Sequence, residues 1–310
     1  MSTGSWDVFI GSLAHKRNTV PTGSVFAVGC RNVQAMARLG PTEAIHQGAR
    51  DLDRRSVSEI VQLIHSEDAV AHAAVGRVLL QIEAAVDVLE ATLAGGGTWF
   101  NVGAGTSGRI GVLDASEIPP TFGFAPNRVQ GLIAGGEKAL RCAVEGAEDN
   151  FEAGNWEVRE RGLTMGDTVV AISASGTTPY VLGAVEAAYE VGARSVGISC
   201  DPASPLAEAV EISIAPSVGP EVIAGSTRMK GGLVQKMILH SLSTTVMVKL
   251  GRVRGNLMTN LSPANAKLRE RALAIFVEIS GLPCDEAQQL LDQNGGCVEA
   301  ALQVVGKSLR

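Results

Sequence analysis

Aromatic side chains are scarce in this 310-residue chain, at 4% of the total, which argues against an aromatic-rich sandwich core. The five cysteines (Cys30, Cys142, Cys200, Cys284 and Cys297) are scattered, with no C-x-x-C pair. That pattern fits reduced intracellular thiols rather than a disulfide frame or a zinc site. Five histidines never fall at H-x-x-x-H spacing, so no metal site is expected. No basic block offsets the formal net charge of −6, and nucleic acid is therefore not an expected partner. Nor does any uninterrupted apolar run reach the ~18 residues of a membrane-spanning helix.

What the chain does have is glycine, 36 residues of it, and 45% hydrophobic residues, enough for a large α/β core. Residues 1–40 lack periodicity. Lys16-Arg17 and the later Ala27-Val28-Gly29-Cys30 faintly imitate a lipoprotein signal, but Pro21, Gly23 and Ser24 interrupt the apolar stretch between them. We expect a mobile arm there. Ser56 with Glu59 forms a capping-box signature for a helix near Val57–His65. Apolar residues at helical spacing then predict a longer helix over Asp68–Leu93, ending at Gly95-Gly96-Gly97.

Beyond Gly97 strand-like runs recur: Thr98–Val102, Val129–Ile133, Thr168–Ile172, Ser195–Ser199 and Glu211–Ala215. Helices are predicted between them near Arg109–Ser116, Glu137–Asn150, Pro179–Val191 and Pro205–Ala209. The alternation predicts a parallel sheet covered on both faces. In such sheets ligands bind beyond the carboxyl ends of the strands.

The segments at those ends agree chemically. Gly103-Ala-Gly105-Thr106-Ser107-Gly108 opens a helix after the first strand, and glycine there allows close approach of a ligand to unpaired backbone N–H groups. Ser173-Ala-Ser175-Gly176-Thr177-Thr178 follows the third strand, and Gly225-Ser226-Thr227 follows the last. Three hydroxyl-rich turns at one sheet edge suit a phosphate on a small polar molecule. The same glycines fit the dinucleotide pattern G-x-G-x-x-G. However, the following strand ends in Ala134-Gly135-Gly136, without the acidic residue that pattern needs, so NAD is not expected. Glu117 closes the first of these helices, before Pro119 and Pro120.

Taken together, GAGTSGRIGVLDASEIPPTFG (103–123), AGG with AVEGAED (134–136, 143–149), ASGTTPY (174–180) and GPEVIAGSTRMK (219–230) resemble one known family. It is the N-acetylmuramic acid 6-phosphate etherases, within the sugar isomerase (SIS) phosphosugar-binding superfamily. NLMTNL and NAKLRERA (256–261, 265–272) continue the likeness, which runs from about Thr42 to Gly281. The resemblance implies a five-stranded parallel SIS sheet flanked by helices (41–264) and a small helical, ubiquitin-associated-like tail (265–310). It implies a cytoplasmic homodimer without metal or cofactor, acting on an amino-sugar phosphate in cell-wall recycling. Glu117 of DASE matches the acid that protonates the departing lactate, and Glu148 of GAED the base for the sugar C2 proton. Gly105, Thr106, Ser107, Ser173, Ser175, Thr178, Gly225, Ser226 and Thr227 become the expected phosphate-binding set.

The chain departs from the family pattern at Thr177, where arginine is usual, at Gly231-Gly232-Leu233-Val234, and at His240 in place of asparagine. An arginine lost beside a phosphate turn removes a strong charge-assisted donor. Two other readings stand beside the etherase. One is a non-catalytic phosphosugar sensor of the glucokinase-regulatory-protein type, which needs neither acid nor base. The other is a phosphosugar isomerase, which needs no acid for a leaving group.

Overall fold

The computed structural model describes residues 40–306. The arm expected over residues 1–40 therefore lies outside the described residues, Gly40 apart. Three short 3₁₀ turns lead into helices α1 (Val57–Gly76) and α2 (Leu79–Ala94). Five strands follow: β1 (Trp99–Gly103), β2 (Val129–Ile133), β3 (Thr168–Ile172), β4 (Arg194–Ile198) and β5 (Ile212–Ile214). Between them run α3 (Gly105–Phe122), α4 (Gly136–Arg141), α5 (Phe151–Glu160), α6 (Pro179–Val191) and α7 (Pro205–Ala209). After the sheet come α8 (Lys230–Lys249), α9 (Ala266–Ser280), α10 (Cys284–Gln293) and α11 (Val298–Val305).

All strand pairs are parallel, in the order β2-β1-β3-β4-β5. The fold is the expected SIS-type five-stranded sheet with flanking helices. Side chains along β1 and β3 alternate between two apolar layers, as a period of two requires. Trp99, Val170 and Ile172 pack with α1, α2, α3 and α8. Phe100, Val102, Val169 and Ala171 pack with α5, α6 and α7. Helices α9–α11 close around a separate apolar cluster that includes Phe276, Leu291, Val298 and Leu302.

Several element boundaries differ from those read in the sequence. The expected helix break near Ser66 is absent: the Ser66 hydroxyl donates to the Leu63 carbonyl inside a continuous helix. The chain bends instead at Arg77-Val78, just after Gly76. Helix α3 begins at Gly105 rather than Arg109, and it continues through Pro119 and Pro120 to Phe122. Burial of Ile118 and Phe122 holds that last turn, and Gly123, at φ 58°, closes it.

The helix expected over 137–150 stops at Arg141, so Glu148 lies on a loop and not on a helix. Cys142 turns extended, and Gly146 takes φ 74°. Helices α5 and α8 were not anticipated, and α8 carries no clear periodicity. In α8, Gly231-Gly232 and a run of Ser and Thr dilute the apolar stripe.

Candidate active site

With β2 on one side of β1 and β3 on the other, the chain reverses direction of travel across the sheet between β1 and β3. That switch point is where a crevice opens at the carboxyl edge. A cavity of about 550 Å³ occupies it. Its walls hold Gly105, Thr106 and Ser107 after β1, Ser173, Ser175, Thr177 and Thr178 after β3, and Gly225 and Thr227 before α8. Glu148 and Asp149 enter from the loop that follows α4, and Glu43 enters from the first 3₁₀ turn.

The β1 turn is built by two glycines that have no room for a side chain. A Cβ on Gly103 would stand 2.6 Å from the Gly108 nitrogen, and one on Gly108 would stand 2.6 Å from Ile133. Such contacts bring α3 tightly onto the sheet, so its first N–H groups face the cavity with no intrahelical acceptor. Gly105, at φ 51°, faces open space. The G-x-G-x-x-G letters are thus accounted for by tight β1–α3 packing.

The β3 turn is a network of hydroxyls. Ser173 Oγ accepts from the Gly176 N–H at 3.0 Å and lies 2.8 Å from Thr178 Oγ1. Ser175 Oγ lies 2.9 Å from Thr177 Oγ1 and accepts from the Thr177 N–H at 3.3 Å. Gly176 sits at φ 68°, and a Cβ there would strike Ser204 Oγ at 2.2 Å. Donors are therefore held in place before any ligand arrives.

Glu148 owes its position to a backbone contact. Its carbonyl accepts the Tyr180 N–H at 3.0 Å, tying the loop to the first turn of α6. Gly154 of α5 and Gly183 of α6 bring those helices to backbone distance: an added Cβ would fall 1.8 Å from the Tyr180 carbonyl oxygen or 2.0 Å from that of Phe151.

The third wall depends on a buried ion pair. Lys230, 2% exposed, pairs with Glu67 of α1, and Glu67 also meets His46 Nε2 at 3.1 Å. Burial works against the Glu67 carboxylate. Hydrogen bonds from Lys230 and His46 outweigh it and hold the pKa below the usual range. Glu221, fully buried, accepts the N–H groups of Lys230 (3.1 Å) and Gly231 (2.9 Å) and so caps α8.

The structure gathers eight of the nine expected phosphate-binding residues and Glu148 around one cavity. Ser226 is not in the wall. Its N–H donates to Ile223 and its carbonyl accepts from Met229, so it shapes the turn. Glu117 also lies elsewhere, exposed on α3 twelve residues after Gly105, or about 18 Å along the axis. Glu43 and Asp149 were missed in the sequence. Glu43 belongs to an irregular segment with no motif, whereas Asp149, next to Glu148, was within reach.

These features define an SIS-type α/β domain, and residues 81–189 match the model of the glucokinase regulatory protein N-terminal SIS domain. An N-acetylmuramic acid 6-phosphate etherase of Escherichia coli is 44% identical over 289 residues, covering 84% of this chain and 97% of its own. One of Escherichia fergusonii is 46% identical over 268 residues, covering 86% and 90%. The chain belongs to the N-acetylmuramic acid 6-phosphate etherase family. A solved phosphoheptose isomerase from Neisseria gonorrhoeae aligns at 18% identity and a TM-score of 0.48 over 62% of this chain and 98% of its own, a likeness too loose to reason from.

Proposed function

We propose that this chain cleaves the D-lactyl ether of N-acetylmuramic acid 6-phosphate, giving N-acetylglucosamine 6-phosphate and D-lactate. The observation that carries this reading is the identity with etherases along nearly their whole length. The cavity supports it, because hydroxyls, helix-start N–H groups and carboxylates converge there. Opening of the sugar ring leaves an aldehyde at C1, which acidifies the C2 hydrogen. Glu148 takes that proton, the C3 lactate departs with a proton from Glu117, and water adds across the resulting double bond. Each positioned proton transfer is worth ~10²–10⁴-fold.

Glu117 lies outside the cavity of its own chain, so both glutamates meet one substrate only if a second copy supplies it. A homodimer in which Glu117 of one subunit serves the partner's cavity satisfies that requirement. Within this reading the protein is a cytoplasmic carbon–oxygen lyase. Residues 41–264 form its phosphosugar domain, and residues from 265 onward form a small helical domain. Among the described residues no single helix is long and apolar enough to cross a membrane.

Incubation of the purified protein with N-acetylmuramic acid 6-phosphate should release D-lactate. No release, with N-acetylglucosamine 6-phosphate still bound, would turn the reading to the phosphosugar sensor.

A further inference from the structure

Glu43 brings a carboxylate into a cavity whose wall, among the described residues, contains no lysine or arginine. Its side chain has no hydrogen-bond or ion-pair partner among the described residues. Its backbone, by contrast, is fixed on both sides. Thr42, 2% exposed, accepts the Gly225 N–H at 3.3 Å, and the Glu43 N–H donates to the Gly40 carbonyl at 3.3 Å. Three residues further on, His46 is held by the Glu67–Lys230 pair.

The carboxylate packs directly against residue 225, a glycine. A Cβ there would stand 2.7 Å from Glu43 Oε2, and the φ of 74° disfavours any side chain as well. A carboxylate cannot serve a phosphate dianion as a ligand, since it repels the charge and offers no donor. The donors a phosphate needs are the serine and threonine turns and the start of α3. Glu43 therefore faces a part of the ligand that donates.

We propose that Glu43 selects for the sugar. Its carboxylate accepts hydrogen bonds from hydroxyl or amide N–H groups on the non-phosphate part of the ligand, and it thereby separates sugar phosphates from phosphate alone. This assignment rests on the sugar-phosphate reading above and adds a specificity residue to it.

The test is calorimetric binding of two probes to the full chain, N-acetylglucosamine 6-phosphate and inorganic phosphate. Glu43→Ala should weaken the sugar phosphate by ~10-fold or more, the loss of hydrogen bonds to a charged group, with phosphate affinity undiminished. Glu43→Gln keeps one acceptor oxygen and should lose less, and it carries the test if Glu43→Ala fails to fold. Equal loss of both probes would overturn the assignment, because Glu43 would then merely shape the cavity. No loss in any variant, or a wild type that binds both probes equally, would overturn it too. Wild-type protein that discriminates between the probes yet releases no lactate would remove the etherase reading and leave Glu43 in its role.

Discussion

The two ends of helix α3 carry the same family signature but stand in opposite surroundings. At the first end Gly105, Thr106 and Ser107 stand at the sheet edge and share a cavity with Glu148. At the other Glu117 is exposed, with two prolines after it, and it takes no part in that cavity's wall. The first end shares one cavity with its partners in the same chain. On the function proposed above, the second works against a partner's surface. A continuous motif in sequence can thus be divided between two sites in space, because a helix separates its ends by its own length.

The largest effect expected is at the first end. Glu148→Gln should lower lactate release by ~10²–10⁴-fold and stop exchange of the C2 hydrogen with deuterated water, read by mass spectrometry. Glu117→Gln should cut release strongly yet leave some C2 exchange, since the first proton transfer needs only the base. Full exchange in Glu148→Gln with none in Glu117→Gln would reverse the two roles.

The comparison can also be broken by mixing. Co-expressed Glu117→Gln and Glu148→Gln subunits should recover roughly a quarter of wild-type activity. That is the share of intact sites when each site draws on both copies of a two-fold dimer. No recovery from mixed dimers would place both glutamates on one chain's site.

Between the two ends Asp114 tests the helix itself. Burial raises its pKa to about 6, although the Ser243 hydroxyl donates to it at 3.0 Å. A raised folded-state value means that the group's contribution is fully present below about pH 4 and is lost as pH rises through about 6. The loss comes to ~3 kcal/mol by linkage. Asp114→Asn keeps the acceptor for Ser243, so it should raise the melting temperature at pH 8 and give no gain at pH 4. A gain of the same size at both pH values would show that ionisation of Asp114 is not the cause.

The smallest effect is expected at Ser175. Ser175→Ala should weaken sugar-phosphate binding by about 1–3 kcal/mol, as a lost bond to a charged group does. Unchanged affinity would move the phosphate away from the β3 turn.

Much of this was legible because buried parallel strands are short unbroken apolar runs. β2 and β3 were bounded in the sequence at the residues where they lie in the structure. The hydroxyl turns were legible for a related reason, since turn chemistry is local. What escaped depended on tertiary contact. Nothing local says that Gly105 starts a helix, because its neighbours Gly103 and Gly108 are there for close packing on Ile133 and the turn itself. The loop carrying Glu148 read as helix because its acids and alanines favour helix. The Tyr180 contact that holds it is 32 positions further along the chain. Glu43 needed Gly225, 182 positions away, to become visible.

The glycine contacts between layers have a mechanical consequence. Gly103 against Gly108, Gly131 against Val112, Gly154 against Tyr180 and Gly183 against Phe151 all leave under 3 Å for a Cβ. Backbones in such contact cannot slide past one another without collision, so strand, helix and neighbouring helix form one stiff plate beneath the cavity. The loop from Cys142 to Asn150 and the segment before α1 lie outside that plate and are pinned to their neighbours by single backbone hydrogen bonds, Tyr180 N–H to the Glu148 carbonyl and Gly225 N–H to the Thr42 carbonyl. Glu148 and Glu43 are thus carried on separately anchored segments, while the N–H groups after β1 ride on the plate itself.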